Sequence, residues 1–193
     1  MKTTRAYTMT GRARAAEQTR SRILDATADL AGERLVADIS LELVAQRAEV
    51  SVQTVLRHFG SRAGLFEEAQ RYAESRIVDE RRAPAGDVGS AVRAIVAHYE
   101  LRGSAVLLML AQEGTEALMA SVTASGKKLH RAWVETTFAP HLADAEDPDE
   151  LTDLLVVATD VYTWKLLRRD RGLSRARTEQ RIDRLVRALL DTH

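Results

Sequence analysis

The chain has 193 residues, with 28 Lys and Arg against 28 Asp and Glu, and it contains no cysteine. This length allows one or two domains with an adequate core, and the lack of cysteine excludes a disulfide framework and a thiolate metal site. No apolar run resembles a signal peptide or is long enough to span a bilayer, so we expect a cytoplasmic protein with no membrane partner.

Positive charge is concentrated at the N-terminus although the formal net charge is zero. Residues 1–22 hold six Lys or Arg side chains and one Glu. A basic arm of this kind could lie along phosphates or enter a minor groove. The alternative is a solvated tail with no partner. We predict that residues 1–18 form a basic arm that is disordered in the absence of DNA.

Two short helices joined by a tight turn are predicted between Ser40 and Phe59. Apolar residues in SLELVAQRAEV recur at three- and four-residue spacing, which predicts a first helix capped by the Ser40 hydroxyl. Ser51 provides a second N-cap, and VQTVLRH follows as a helix too short to be stable alone. Amphipathic helices are predicted on both sides of this pair, from Thr19 to Leu35 and after a cap at Ser61.

The second short helix presents a mixed outward face once Val55 and Phe59 are buried. A Gln side chain can pair with adenine, Arg can pair with guanine or phosphate, and a methyl group can contact the thymine methyl. This combination is typical of the recognition helix of a helix-turn-helix, although a helical hairpin with a solvated face is the alternative. The outward residues are Val52, Gln53, Thr54, Leu56, Arg57 and His58.

Together these segments resemble the DNA-binding domain of the TetR family of transcriptional regulators. The matching motifs are T-R-x-x-I-L-x-A from Thr19, S-L-E-L-V-A-x-x-A-x-V-S from Ser40 and T-V-L-R-H-F-x-S-R-x-x-L, which ends at Leu65. The chain has Glu49 where the family usually has Gly in the turn, which implies a left-handed backbone at Glu49. Leu56 and Arg62 replace the usual Tyr and a frequent Lys. The resemblance and the helix pattern together assign DNA contacts to Ser40, Ser51, Val52, Gln53, Thr54, Leu56, Arg57, His58 and Arg62. Of these, Ser40, His58 and Arg62 are placed for phosphates.

The remainder of the chain is predicted to be helical without strands. The fold class is therefore all-α: a three-helix DNA-binding domain over 19–65, a connecting helix over 66–83 and a C-terminal helical domain over 84–193 for ligand binding and dimerisation. The boundary lies at APAGDVG, the clearest break in the sequence. The predicted C-terminal helices cover Ser90–Arg102 and an all-round buried stretch near Ser104–Gln112. A helix capped by Thr115 runs to Pro140, one capped by Asp147 runs to Gly172, and Ser174 caps a last helix.

Apolar surface on the helix after Asp147 exceeds what the final helical hairpin needs. In the resembled family the last two helices pair with those of a second subunit, which implies a homodimer. The alternative is that these residues pack within their own subunit. The predicted interface residues are Val157, Val161, Trp164, Ile182, Leu185 and Leu189.

Catalytic motifs are weak, because His98, His130 and His141 are scattered and no phosphate loop or nucleophile elbow occurs. We therefore predict no catalytic residue, no metal and no cofactor. The resemblance implies an apolar cavity in the body whose small-molecule ligand moves the DNA-binding heads apart. Candidate ligand contacts, each of which could instead be a core or surface residue, are His98, Tyr99, Gln112, His130, Trp133, Thr137 and Trp164.

These features together predict a homodimeric transcriptional repressor that binds double-stranded DNA at a palindromic operator and is released by a small-molecule effector. One alternative is a helical enzyme or ligand carrier with an incidental helix-turn-helix. The other is a repressor that has no small-molecule effector.

Overall fold

The computed structural model describes the backbone of residues 4–192 and the side chains of residues 11 and 13–192. Every regular element within 4–192 is helical, which confirms the predicted all-α class. The chain divides into two compact units, Met1–Ala73 and Glu74–His193. This division falls inside the helix that the sequence assigns to a connector over 66–83. None of the described helices combines the length and apolar character needed to cross a membrane.

The first unit contains three complete helices and the beginning of a fourth. They are α1 (Thr4–Glu33), α2 (Leu41–Arg47), α3 (Val52–Phe59) and α4 (Arg62–Glu80), with a 3₁₀ turn at Val36–Asp38. Helix α1 packs against α2, and α2 packs against α3. The core of this unit is apolar, and its fully buried members include Ile23, Leu24, Leu30, Ile39, Val44, Val55 and Leu65.

Helix α1 begins at Thr4, whereas the sequence predicts its start at Thr19 after a disordered arm. Residues 13–18 are all Ala, Arg, Glu or Gln, which rank among the best helix formers. The high helix propensity of these residues favours a helix here, whereas the prediction of a disordered arm rested on their charge. Residues 1–3 lie outside the described residues, as do the side chains of Arg5 and Arg12.

The second unit contains the end of α4 and six further helices. They are α5 (Val88–Leu110), α6 (Ala117–Thr137), α7 (Ala139–Ala143), α8 (Pro148–Ala158), α9 (Val161–Lys165) and α10 (Arg175–Leu190), with a π-helical turn at Leu166–Asp170 between α9 and α10. Helix α5 packs against α6, α9 and α10, while α8 packs against α6 and α10. The core between them includes Val92, Ile95, Tyr99, Val134, Phe138, Leu155, Trp164 and Val186.

Helix starts in this unit follow local side-chain chemistry. Asp147 Oδ1 accepts the backbone N–H groups of Asp149 and Glu150 at 3.1 and 3.0 Å, and Ser174 Oγ accepts that of Arg177 at 3.3 Å. Both caps were predicted. Helix α6 differs, because Glu116 precedes it and the predicted cap Thr115 instead donates to the Gln112 carbonyl.

Two predicted helix boundaries in the second unit are wrong. Helix α5 is continuous through Arg102. The helix that was predicted to run from Asp147 to Gly172 breaks at Thr159 and Asp160, because Asp160 Oδ1 accepts the Tyr162 N–H at 2.8 Å and starts α9. A capping residue inside a continuous apolar pattern gives no strong signal in the sequence.

The apolar stretch at the end of α5 is only half-buried, although the sequence predicts burial on every side. Residues 105–110 are all partly accessible, and Gln112 beyond them is buried. One side of the stretch packs against the core through Val106, Leu107 and Leu110.

Trp164 is the largest fully buried side chain of the second unit. Its indole lies against α5 at Gly103, where an added Cβ would be 2.5 Å from Trp164 Cζ3. The indole Nε1 donates to Glu100 Oε1 at 3.0 Å, and Arg168 holds the same carboxylate with an Nε to Oε1 distance of 2.8 Å. Close packing of α9 against α5 therefore depends on glycine at position 103 and on the Trp164 ring.

Candidate nucleic-acid interface

The two short helices of the first unit are capped by serine hydroxyls, as the sequence predicts. Ser40 Oγ accepts the Leu43 N–H at 3.2 Å, and Ser51 Oγ accepts the Thr54 N–H at 3.1 Å. Each bond satisfies a backbone donor that a helix start would otherwise leave without an intrahelical partner. The beginning of α3 is therefore fixed relative to the turn that precedes it.

The turn between α2 and α3 has the geometry of a Schellman motif. The Val50 N–H donates to the Ala45 carbonyl at 2.9 Å, and the Glu49 N–H donates to the Gln46 carbonyl at 3.2 Å. Glu49 has φ 55° and is the non-glycine residue with positive φ among the described residues. A side chain at such a position costs about 1 kcal/mol relative to glycine.

We expect Glu49→Gly to raise the free energy of unfolding by up to about 1 kcal/mol, because relief of the left-handed strain exceeds the added entropy of the unfolded chain. Urea denaturation would measure the change. The matched control is Gln46→Gly in α2, where the backbone is helical and the same substitution should destabilise by about 1 kcal/mol. A loss of stability in both variants would mean that the Glu49 side chain makes a stabilising contact.

Helix α3 buries one side and exposes the side that was predicted to read DNA. Val55 is fully buried, whereas Gln53, Leu56 and Arg57 are exposed. The hydroxyl of Thr54 lies 3.0 Å from Ser51 Oγ, so it takes part in the local cap. Gln53 and Arg57 therefore present the hydrogen-bonding groups most accessible to a base edge. The partly buried members of the face are Val52, Thr54 and His58.

Arg62 is engaged inside the first unit, whereas the sequence predicts a contact with phosphate. Its Nε donates to the Ile39 carbonyl at 3.0 Å, and its Nη2 donates to the Val36 carbonyl at 2.6 Å. The guanidinium carbon lies 4.8 Å from the centroid of the Phe66 ring. Two of its nitrogens thus fasten the start of α4 to the 3₁₀ turn. The carbonyls that accept these hydrogen bonds are distant from Arg62 in sequence. The positive charge of Arg62 alone therefore could not predict that it binds backbone carbonyls rather than DNA.

Further contacts that the sequence analysis missed join the helices of the first unit. Arg47 forms two hydrogen bonds with Glu33, at 3.1 and 2.8 Å, which join α2 to α1. Arg20 forms an ion pair with Glu68 of α4. Paired charges at separations of 14 and 48 residues leave no periodic signal in the sequence. Neither pair uses the exposed face of α3.

Four of the seven candidate ligand residues lie together in the second unit, around a residue that the sequence analysis missed. This residue is Arg81. Its Nη2 lies 2.8 Å from His98 Nε2, and its guanidinium carbon lies 5.6 Å from the Tyr99 ring centroid. Trp133 Nε1 donates to the Arg81 carbonyl at 2.8 Å, and the Trp133 ring stacks on His130 with a centroid distance of 5.7 Å.

Helix periodicity is the signal that could have identified Arg81. It follows Ile77 by four residues and therefore continues the inward stripe of α4. The other three candidates make different hydrogen bonds or packing contacts. Gln112 donates to the Leu108 carbonyl at 2.9 Å, Thr137 is buried at the end of α6, and the Trp164 ring lies 5.9 Å from Tyr99.

The protonation states of this cluster follow from its hydrogen bonds. An arginine can only donate, so His98 Nε2 accepts from Arg81 and His98 Nδ1–H donates to Glu80 Oε2 at 2.9 Å. Burial, followed by the charge of Arg81, lowers the pKa of His98 to about 4, so His98 is neutral at pH 7. Hydrogen bonding from Arg102, with a smaller contribution from His98, lowers the pKa of Glu80 to about 2.

Three of the six predicted dimer-interface residues lie inside the subunit. Val161, Trp164 and Ile182 are at most 3% exposed and belong to its core, so their assignment to a surface contact is corrected. Val157 is 65% exposed and Leu185 is 42% exposed. Burial at Val161, Trp164 and Ile182 follows from packing of α9 and α10 against α5, which the sequence pattern does not specify. The remaining candidate, Leu189, is partly buried, and the exposed apolar residues that were not predicted include Tyr162 and Leu166.

Comparison with known proteins agrees with this geometry. Residues 23–69 match the family described as bacterial regulatory proteins, tetR family. No curated protein matches the chain. The match covers the second half of α1, the helix-turn-helix and the beginning of α4.

The fold is similar to those of several solved regulators. A transcriptional regulator from Rhodococcus sp. Rha1 is 19% identical with a TM-score of 0.66, and the alignment covers 90% of this chain and 96% of that one. GusR of Salmonella enterica is 20% identical with a TM-score of 0.67 and coverage of 90% and 95%. A tetR-family transcriptional regulator from Streptomyces coelicolor is 18% identical with a TM-score of 0.66 and coverage of 91% and 82%. Residues 23–69 of this chain therefore form a helix-turn-helix domain of the tetR family of bacterial regulatory proteins.

Proposed function

We propose that this protein is a cytoplasmic, homodimeric repressor that binds a palindromic operator through α3 and leaves it when a small-molecule effector binds the second unit. The observation that carries the proposal is the exposed pair Gln53 and Arg57 on a capped helix whose opposite side is anchored by the buried Val55. Gln and Arg form paired hydrogen bonds with adenine and guanine in the major groove. Helix α3 thus supplies sequence recognition.

Exposed arginines on α1 support the same proposal. Arg14 and Arg22 are both exposed in the described structure. Side chains of this kind neutralise phosphates and contribute affinity that does not depend on sequence. We assign them the role that the sequence analysis gave to Arg62, whose guanidinium is bound to backbone carbonyls.

Exposed apolar side chains on the last helices support a second subunit. Val157 lies on α8, Tyr162 lies on α9, and Leu185 lies on α10, which packs against α8. Their exposed fractions are 65%, 56% and 42%. Exposed apolar side chains on neighbouring helices favour association with a second subunit. A dimer with two-fold symmetry would also match the symmetry of a palindromic operator.

We expect Val157→Glu to raise the dimer dissociation constant about 100-fold or more, because burying an unpaired carboxylate costs about 3 kcal/mol or more. Sedimentation velocity at several protein concentrations would measure this change. The matched control is Val78→Glu, an exposed valine of α4 that is 52% accessible, and it should leave the association unchanged. A native protein that is monomeric at micromolar concentration would contradict the dimer.

Selection of duplexes from a random-sequence pool tests the DNA-binding proposal. We expect enrichment of a palindromic site and binding by two protomers per site at moderate salt. Failure to enrich any sequence would favour the alternative of an enzyme or carrier with an incidental helix-turn-helix. Operator binding that no small molecule alters would favour the repressor without an effector.

A further inference from the structure

A buried cation that forms no salt bridge with a described residue lies in the second unit, although the charges of Glu80 and Asp160 act on it. Arg81 follows α4 and is only 7% exposed. Its Nη2 donates to His98 Nε2 at 2.8 Å, whereas its Nε and Nη1 are buried and have no hydrogen-bond partner among the described residues. A buried charge is strongly unfavourable unless it is paired and hydrogen-bonded. The guanidinium therefore has unused capacity to bind an anion.

The nearby carboxylates are committed to other groups. Glu80 accepts the Nε of Arg102 at 2.8 Å and the Nδ1–H of His98 at 2.9 Å. Asp160 accepts a backbone N–H at the start of α9, and burial raises the pKa of this carboxyl. Among the described residues, neither carboxylate forms an ion pair with Arg81. The one direct side-chain acceptor of Arg81, His98, is neutral.

His130, in the same cluster as Arg81, has a ring nitrogen that forms no hydrogen bond with a described residue. His130 Nε2 lies 3.3 Å from the Val156 carbonyl and 3.2 Å from Thr159 Oγ1. A carbonyl can only accept, so Nε2 carries the proton and Nδ1 is the acceptor of a neutral ring. This Nδ1 is buried and has no hydrogen-bond partner. The stacked Trp133 links His130 to the backbone of Arg81.

We propose that the effector is a small organic acid whose carboxylate accepts a free N–H of Arg81 and whose hydroxyl or amide N–H donates to His130 Nδ1. This inference rests on the proposed function, because it specifies the chemical class of the effector. A carboxylate neutralises the single charge of Arg81, whereas a phosphate dianion would leave a buried negative charge. The neighbouring rings of Tyr99 and Trp133 favour a flat, aromatic ligand.

Calorimetric titration of the DNA-free protein with three matched compounds tests this chemistry. The probes are 3-hydroxybenzoate, benzoate and benzyl alcohol. We expect 3-hydroxybenzoate to bind most tightly, benzoate more weakly because it lacks the hydroxyl donor, and benzyl alcohol most weakly because it lacks the charge. Inorganic phosphate serves as the fourth probe and should not compete with 3-hydroxybenzoate at equal concentration.

Three substitutions assign the binding to the named atoms. Arg81→Met should weaken 3-hydroxybenzoate binding about 10-fold or more, which is the loss expected for a hydrogen bond to a charged group. The same change removes a buried unpaired charge, so the melting temperature without ligand should not fall. Arg82→Met is the matched control, because the neighbouring Arg82 side chain is 79% exposed and should not affect binding. His130→Phe retains an aromatic ring and should abolish the preference for 3-hydroxybenzoate over benzoate.

The results that would overturn the organic-acid effector differ from the results that would overturn the proposed DNA-binding function. The proposal would be overturned if neither 3-hydroxybenzoate nor benzoate bound at millimolar concentration. It would also be overturned if Arg81→Met left the affinity for 3-hydroxybenzoate unchanged. If the same protein selects a palindromic duplex, its role as a regulator would remain. Binding of 3-hydroxybenzoate by a protein that selects no duplex would support the anion site and overturn the proposed function instead.

Discussion

Gln53→Ala should weaken binding to the selected operator by about 1–3 kcal/mol, or roughly 5- to 150-fold, with little effect on random DNA. Gln53 is exposed on the first turn of α3, and its amide can both donate to and accept from an adenine. The substitution removes a base contact and leaves the Ser51 cap and the buried Val55 unchanged. Fluorescence anisotropy on operator and random duplexes at several salt concentrations would measure both affinities.

The matched control for this experiment is Gln180→Ala on α10, which removes the same exposed amide from a helix of the second unit. It should leave both affinities unchanged.

Arg57→Ala should reduce operator binding and also lower the dependence of the affinity on salt concentration if Arg57 contacts a phosphate as well as a base. If Gln53→Ala and Arg57→Ala both preserve the ratio of operator to random affinity, α3 is not the recognition helix.

Trp164→Ala should lower the free energy of unfolding by about 3–5 kcal/mol, because it leaves a large cavity in the core of the second unit. The Trp164 side chain is fully buried, and its indole N–H is bonded to Glu100. Thermal and urea denaturation at a fixed protein concentration would measure the loss. Leu101→Ala is the control on the adjacent helix, because Leu101 is 72% exposed and its truncation should cost much less.

A double-mutant cycle identifies the contact responsible. Gly103→Ala alone should destabilise the protein by about 1–3 kcal/mol, since the new methyl group would overlap the Trp164 ring. In the Trp164→Ala background the same methyl group enters the vacated space, so its cost should largely disappear. Additive effects of the two substitutions would contradict the close approach of α9 to α5 through this ring.

The sequence by itself determined the features that depend on neighbouring residues. Serine caps at Ser40 and Ser51, the left-handed turn at Glu49 and the cap at Asp147 all involve groups within a few positions of one another. Hydrogen bonds of this range are encoded by residue type and spacing. The all-α class and the outward set on α3 follow from the same local periodicity.

Only the tertiary structure decided which apolar side chains are buried and which groups the cationic side chains contact. Trp164 and Val157 both belong to an apolar surplus in the sequence, but packing against Gly103 buries the first and leaves the second exposed. Arg62 and Arg81 are both cations near a helix end, and their environments depend on carbonyls and imidazoles from distant positions. Burial is a property of what surrounds a side chain, and those surroundings form only when segments remote in sequence pack together.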